Sequence, residues 1–217
     1  PSLKKEVEFQ PFSGQAGIEI FRSTDHQYFL KRYSNNSWAQ KEQQILMMEV
    51  SFKKPTVLDT IVWEERECLV LQNARVQPRL LNMTLHQVLQ AVEVLSQVHE
   101  LYLGQEQNIQ FGLNCFHARQ KEVSTELHGE LSSFRPIGDA LCHTDLHLSN
   151  WLVENDEVVG LLDWIAYGYG DPEEDLAGLI LESGHWNHRQ QIIESWEGKT
   201  ERLVDPKRFL LYFWLLT

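Results

Sequence analysis

Alternating apolar and polar positions dominate the first third of the chain and predict β-hairpins. Short alternating segments bounded by turn residues occupy 6–12, 18–22, 28–33, 57–63 and 67–71. The loop 13–17 contains two glycines whose backbone amides could approach a phosphate, although two glycines in a hairpin usually form only a turn. The pattern therefore predicts a small, mostly β region.

A charged pair stands out in this region. Lys31 lies on the predicted strand 28–33, and Ser37 opens a capping-box pattern that predicts the start of a helix. Glu42 falls on the apolar face of that helix, where an unpaired carboxylate would be costly. Lys31 is the expected partner, but such pairs are often only surface ion pairs, so both roles stay open.

Helical periodicity becomes the main pattern after a short linker at residues 72–74. Thr84 opens a second capping box, and the apolar stripe that follows predicts a helix ending near Leu101. Residues 104–140 carry too weak a pattern to predict more than one helix and loops. We therefore expect two lobes, residues 1–73 and residues 74–217.

Composition excludes several classes of protein. The 217 residues are 42% hydrophobic, which suffices for a core, and the net charge of −12 argues against a broad nucleic-acid surface. The longest apolar stretch, 209–216, is too short to cross a membrane. The chain opens without a Met, so we expect trimming. Three cysteines without a C-x-x-C pair predict reduced thiols and a cytoplasmic protein: Cys68, Cys115 and Cys142.

Three oxygen-bearing side chains flank a predicted hairpin at residues 151–162. Asp145 and Asn150 precede the hairpin and Asp163 follows it. Folding the hairpin about its turn is expected to bring these side chains together at its open end. Carboxylate and amide oxygens suit a hard cation, so the spacing predicts a magnesium site.

The same segment resembles a known family. The spacing of His143-Thr144-Asp145-Leu146-x-x-x-Asn150 matches the kinase catalytic loop H-R-D-L-x-x-x-N. Residues 143–177 as a whole resemble the aminoglycoside phosphotransferase and choline kinase group, whose signature continues through D-W to G-D-P-x-x-D-L-A. Thr144 stands where many relatives have Gly or Asn. The resemblance implies an α+β, protein-kinase-like fold with a small antiparallel β lobe containing one helix and a larger, mostly helical lobe.

The resemblance also implies roles for single residues. Asp145 would be the catalytic base, and Asn150 and Asp163 would hold magnesium against the phosphates of ATP. Lys31, oriented by Glu42, would contact the α- and β-phosphates. The adenine would lie in the cleft between the lobes, against the backbone of Leu71, Gln72 and Asn73.

The resemblance implies an ATP- and magnesium-dependent kinase acting on a hydroxyl group of a small molecule, such as an aminoglycoside, choline, ethanolamine, thiamine or a sugar. Acidic residues slightly favour a cationic acceptor: Glu173, Glu174 and Glu182. The alternative is a nucleotide-binding regulatory pseudokinase, favoured by the glycine-poor first loop and the short segment after Ala177. No nucleic-acid or membrane partner is expected, and the oligomeric state stays open.

Other polar residues in the motif are interpreted as structural. Asp171 is expected to cap a helix, with Glu174 closing a capping box and Asp175 more structural than catalytic. Histidines near the motif more often form hydrogen bonds than bind metal: His143, His147, His185 and His188.

Overall fold

The computed structural model describes residues 7–15, 17–74, 81–101, 134 and 137–217. Two compact units divide the chain: the first contains residues 1–76 and 162–165, and the second contains 77–161 and 166–217. The two lobes expected from the sequence, with a boundary after residue 73, placed the short segment 162–165 in the second lobe, whereas it belongs to the first unit. Cys115 and most of 104–140 lie outside the described residues.

The first unit contains a five-stranded antiparallel sheet with the strand order β1-β2-β3-β5-β4. Its strands are β1 (Phe9–Gln15), β2 (Ile18–Ser23), β3 (Tyr28–Tyr33), β4 (Val57–Trp63) and β5 (Arg66–Gln72). Leu30, Cys68 and Val70 form a buried cluster on this sheet. The sheet confirms the β-hairpins expected from the alternating pattern.

Helix α1 (Asn36–Leu46) packs against β3 and β5 in the first unit. The expected cap at Ser37 is wrong, because Asn35 caps the helix and its Oδ1 accepts a hydrogen bond of 2.9 Å from the amide of Ser37. Asn is as good a cap as Ser, so the helix starts two residues earlier than the S-W-A-Q pattern indicated. Glu42 lies on the buried face, as the periodicity predicted.

Four helices make up most of the described part of the second unit: α2 (Leu85–His99), α3 (Pro172–Ser183), α4 (Arg189–Thr200) and α5 (Pro206–Leu216). The capping box at the start of α2 is confirmed, since Thr84 and Gln87 exchange both hydrogen bonds. Among the described residues, no helix has the length and apolar character needed to cross a membrane.

Short antiparallel strand pairs carry the signature motif. They are β6 (Ala140–Cys142) with β9 (Gly168–Gly170), and β7 (Trp151–Glu154) with β8 (Glu157–Leu161). The predicted β7–β8 hairpin is confirmed. Its turn residues Asn155 and Asp156 have φ angles of 51° and 66°, a left-handed pair that matches the twist of tight hairpins.

Candidate active site

The segment between β6 and β7 forms a closed loop around Asp145. The Nδ2 of Asn150 donates to the backbone oxygen of Asp145 at 2.8 Å and to its Oδ2 at 3.2 Å. The backbone amide of Asp145 donates to Nδ1 of His143 at 3.3 Å. The structure thus brings Asp145 and Asn150 into contact, and His143 forms a hydrogen bond within the loop.

Thr144 holds a strained position in this loop. Its φ angle is 63°, which is unusual for a β-branched residue. Two hydrogen bonds hold Thr144 at this positive φ. Its amide donates to Oδ1 of Asp175 at 2.8 Å, and its hydroxyl donates to the backbone oxygen of Ala166 at 2.8 Å. Strained residues of this kind persist where their surroundings over-determine them.

Asp175 anchors the loop from helix α3. Besides the amide of Thr144, its carboxylate accepts a hydrogen bond of 2.7 Å from the amide of His143. Burial opposes its charge, but hydrogen bonds from His99 and from the loop lower the pKa of Asp175 below its usual value. Asp175 therefore holds the backbone that carries Asp145.

A pocket of about 290 Å³ opens beside Asp145 in the second unit. His147 lies at this pocket, with Nε2 3.2 Å from Oδ1 of Asp145 and Nδ1 3.3 Å from Oε1 of Glu182. Polar, acidic and apolar residues line it: Thr144, Asp145, Leu146, His147, Glu174, Asp175, Gly178, Leu181, Glu182 and Leu216. The pocket therefore combines the candidate base with several carboxylates.

Asp171 precedes helix α3 but does not act as the expected side-chain cap. Its carboxylate forms no cap hydrogen bond, and it accepts instead from Arg208 at 2.5 Å, Tyr212 at 3.0 Å and the amide of Ile137 at 2.6 Å. The expected capping box with Glu174 is therefore wrong, because a strong cation on α5 draws the Asp171 carboxylate away from the helix.

The other acidic residues of α3 differ in their surroundings. Glu173 is buried and accepts a hydrogen bond of 2.9 Å from the amide of Asp205. Glu174 is also buried, and its Oε2 has no hydrogen-bond partner among the described residues. Burial and the neighbouring carboxylates raise the pKa of Glu174 to about 8. Both carboxyl groups are therefore buried, and they differ in whether they have a hydrogen-bond partner.

Lys31 lies at the centre of a buried ion cluster in the first unit. Its Nζ is 2.8 Å from Oε2 of Glu42 and 2.6 Å from Oδ1 of Asp163. The hydroxyl of Tyr33 donates to Oε2 of Glu42 at 2.7 Å. Burial opposes the ammonium charge, yet Glu42 and Asp163 raise the pKa of Lys31. The Lys31–Glu42 pair is thus buried and not a surface pair.

The candidate magnesium ligands offer suitable donor atoms. The Asp163 side chain is about 25% exposed, and only its Oδ1 contacts Lys31, which leaves Oδ2 to coordinate a metal ion. Asn150 uses Nδ2 in its hydrogen bonds to Asp145, so its amide oxygen Oδ1 is the atom that could coordinate a metal ion. Carboxylate and amide oxygens are what Mg²⁺ takes, so the donor chemistry fits the ion.

The three residues expected to contact adenine lie at the end of β5. Leu71 is buried and pairs with Phe29 across the sheet. Gln72 is exposed, and the amide of Asn73 donates to the backbone oxygen of Gln27 at 2.8 Å. The contact of this backbone with a nucleotide stays a prediction.

Two residues behind the loop were missed from the sequence. His99, the last residue of α2, contacts Asp175, and Trp196 of α4 contacts His99. The only sequence signal was a histidine at the end of an apolar helical stripe, which is more often a core residue. Their partners lie 76 and 97 residues away along the chain.

Comparison with known proteins places these observations in a family. The model of the phosphotransferase enzyme family (APH) matches residues 81–203. Among curated protein sequences, none matched this chain.

Solved structures share the fold at low sequence identity. The aminoglycoside phosphotransferase APH(3'')-Id from Streptomyces rimosus has 18% identity and a TM-score of 0.69, with 95% of this chain and 91% of that chain covered. The macrolide 2'-phosphotransferase MphH from Brachybacterium faecium has 16% identity and a TM-score of 0.66, with 96% and 82% covered. The aminoglycoside-3'-phosphotransferase of type VIII has 19% identity and a TM-score of 0.67, with 97% and 93% covered. These matches confirm the expected α+β, kinase-like fold.

Proposed function

Because the chain belongs to the phosphotransferase enzyme family, we propose that it transfers the γ-phosphoryl group of ATP to a hydroxyl group of a small molecule. The observation that carries this proposal is the position of Asp145, which lines a pocket of about 290 Å³ in a loop closed by Asn150. A carboxylate placed there can accept the proton of an attacking hydroxyl group.

The remaining residues would position the reactants, since phosphoryl transfer depends chiefly on orientation and charge neutralisation. Lys31, held by Glu42, would contact the α- and β-phosphates. Asn150 and Asp163 would hold magnesium, which neutralises phosphate charge when bound. The backbone of the end of β5 would receive the adenine: Leu71, Gln72 and Asn73.

The pocket supports a small acceptor that can carry a positive charge. Glu182 and Asp145 both line the pocket and flank the exposed His147. The Streptomyces rimosus enzyme has also been solved in complex with ADP and streptomycin, at 16% identity and a TM-score of 0.69. We therefore include aminoglycosides with choline, ethanolamine, thiamine and sugars as acceptors to be tested.

The test is magnesium-dependent consumption of ATP against this panel of acceptors, with Asp145→Asn beside the wild type. We expect turnover with one acceptor, and a loss of about 10²–10⁴-fold in kcat in the variant, because a positioned base contributes that much. Binding of ATP should persist in the variant. Asp139→Asn, at an exposed carboxylate of the same unit, is the matched control and should keep full activity.

Two results would contradict the proposal. If the wild type does not bind ATP, the kinase function is wrong. If it binds ATP but turns over no acceptor, the regulatory, nucleotide-binding role replaces the enzyme.

A further inference from the structure

A chain of three buried side chains lies behind the loop that carries Asp145. Trp196 of α4, His99 of α2 and Asp175 of α3 are each no more than 2% exposed. The Nε1 of Trp196 is 3.0 Å from Nδ1 of His99, and the Nε2 of His99 is 3.1 Å from Oδ2 of Asp175. Three helices therefore meet through one line of polar contacts.

The direction of these hydrogen bonds follows from the chemistry of the indole ring. The Nε1–H of Trp196 can only donate, so Nδ1 of His99 must be unprotonated and accept. The proton of the neutral His99 ring is therefore on Nε2, where it donates to the carboxylate of Asp175. The other tautomer would place a nitrogen lone pair of His99 against the oxygen of Asp175 and a proton against the indole proton of Trp196.

We propose that Trp196 and His99 are positioning residues for phosphoryl transfer, because they fix Asp175 in the orientation that holds the amides of His143 and Thr144. This inference rests on the proposed catalytic role of Asp145, which follows those two amides in the chain. The carboxylate of Asp175 accepts from His99 and His143 on Oδ2 and from Thr144 on Oδ1. Loss of the His99 donor frees the carboxylate to turn, and the strained loop at Thr144 relaxes.

Metal binding does not account for this cluster as well as hydrogen bonding does. One potential ligand atom from each of His99, Cys142 and Asp175 lies within 4.8 Å of the other two. Both ring nitrogens of His99 already have hydrogen-bond partners, however. Burial, reinforced by nearby carboxylates, also raises the pKa of Cys142 well above its usual value and so disfavours the thiolate that a metal would need.

The tautomer of His99 provides a readout that a packing role would not change. We expect long-range ¹H–¹⁵N spectra of the histidine rings to show His99 as the Nε2–H tautomer in the full-length wild type, with the signal assigned through His99→Gln. In Trp196→Phe, which keeps an aromatic ring but removes the donor, this single tautomer should be lost.

The amides of the loop provide the second readout. In Trp196→Phe, hydrogen exchange at the amides of His143 and Thr144 should accelerate by about tenfold or more, since the loop opens locally. Trp151→Phe is the matched control. Trp151 is equally buried in the same unit, but its Nε1 has no hydrogen-bond partner among the described residues. Exchange at the two loop amides should stay unchanged in this control.

Measurements of activity link the chain of Trp196, His99 and Asp175 to the reaction. With magnesium and ATP, and water or an identified acceptor as the phosphoryl acceptor, Trp196→Phe should lower kcat by about tenfold while leaving the KM for ATP within about twofold. His99→Gln retains a donor near the Nε2 position and should keep more activity than His99→Phe. If Trp196→Phe does not fold, the wild-type tautomer and the two His99 variants carry the test.

The outcomes separate this inference from the proposed function. The inference is wrong if His99 of the wild type is protonated on Nδ1 or on both nitrogens. It is also wrong if hydrogen exchange at the amides of His143 and Thr144 is unchanged in Trp196→Phe. A wild type that shows the expected tautomer and hydrogen exchange, but never turns over ATP, would contradict the proposed function. It would still support Trp196 and His99 as the residues that anchor the loop through Asp175.

Discussion

Buried charge is stabilised in two different ways in this chain. In the first unit, the ammonium group of Lys31 lies between the carboxylates of Glu42 and Asp163 and attracts both. In the second unit, the carboxylate of Asp175 contacts no Lys or Arg among the described residues and is held by two backbone amides and a neutral histidine. One region uses ion pairs, and the other uses dipoles.

The difference shows what each region can do. An ion cluster holds its members by attraction between charges, so in the proposed function Lys31 would contact a phosphate while keeping a carboxylate partner. Hydrogen bonds to backbone amides are directional, so Asp175 fixes the conformation of a loop. Glu174, beside Asp175 on the same helix, has an oxygen with neither kind of partner among the described residues and shows the cost of burial alone.

The largest effect is expected from removing the cation of the first region. Lys31→Met should lower the free energy of unfolding by about 3–5 kcal/mol, because it leaves the buried Glu42 carboxylate without its ion-pair partner. Urea denaturation measures the loss. The double variant Lys31→Met with Glu42→Gln should recover part of it, and Lys53→Met, at an exposed lysine of the same unit, should change little. A loss below about 1 kcal/mol would mean that water replaces the lysine.

The second region should lose less when its charge is removed. Asp175→Asn should lower the free energy of unfolding by about 2–3 kcal/mol, because the backbone donors keep an acceptor but lose a charged one. The pKa of Asp175 is lowered in the folded state, so this stability is present above the unfolded pKa and is lost as the pH falls below about 4. Denaturation of both proteins between pH 3 and pH 7 measures the difference. If Asp175→Asn is as stable as the control Asp139→Asn, the hydrogen bonds from His99 and the two loop amides do not need a charged acceptor.

Glu174 is a buried carboxyl group with an oxygen that has no partner among the described residues. Its contribution to stability depends on pH in the opposite direction to that of Asp175. The pKa of Glu174 is raised to about 8, so the folded state holds a proton that the unfolded state releases, and stability falls as the pH rises from about 4.5 to 8. Between pH 6.5 and pH 8, the wild type should lose about 1–2 kcal/mol more than Glu174→Gln, which cannot ionise. Parallel pH profiles for the two proteins would refute the raised pKa.

The smallest effect concerns the neutral member of the ion cluster. Tyr33→Phe removes the hydroxyl that donates to Glu42 and should lower the free energy of unfolding by about 1 kcal/mol, because Lys31 still pairs the carboxylate. In the Lys31→Met background the same change should cost more, since Tyr33 is then a main remaining donor to Glu42. Equal costs in the two backgrounds would show that Lys31 and Tyr33 act independently.

Local patterns predicted much of the fold. The hairpins β1–β2, β4–β5 and β7–β8 and the capping box of Thr84 each depend on residues close together in the chain, where turn and helix geometry is short-range. The two wrong caps, at Ser37 and between Asp171 and Glu174, failed because a competing partner was stronger. Asn35 was a better-placed acceptor in one case, and Arg208 attracted the carboxylate in the other.

The sequence by itself determined the family, the expected fold and the grouping of Asp145 with Asn150, because these depend on a short motif whose spacing is set along the chain. The pairing of Lys31 with Glu42 could also be predicted from the sequence, but tertiary structure alone decided the buried partners that lie far apart in the chain. Asp163 meets Lys31 across 132 residues, and His99 meets Asp175 across 76. A buried charge is stabilised only by groups that folding brings within hydrogen-bond distance, and no local pattern records which groups those are.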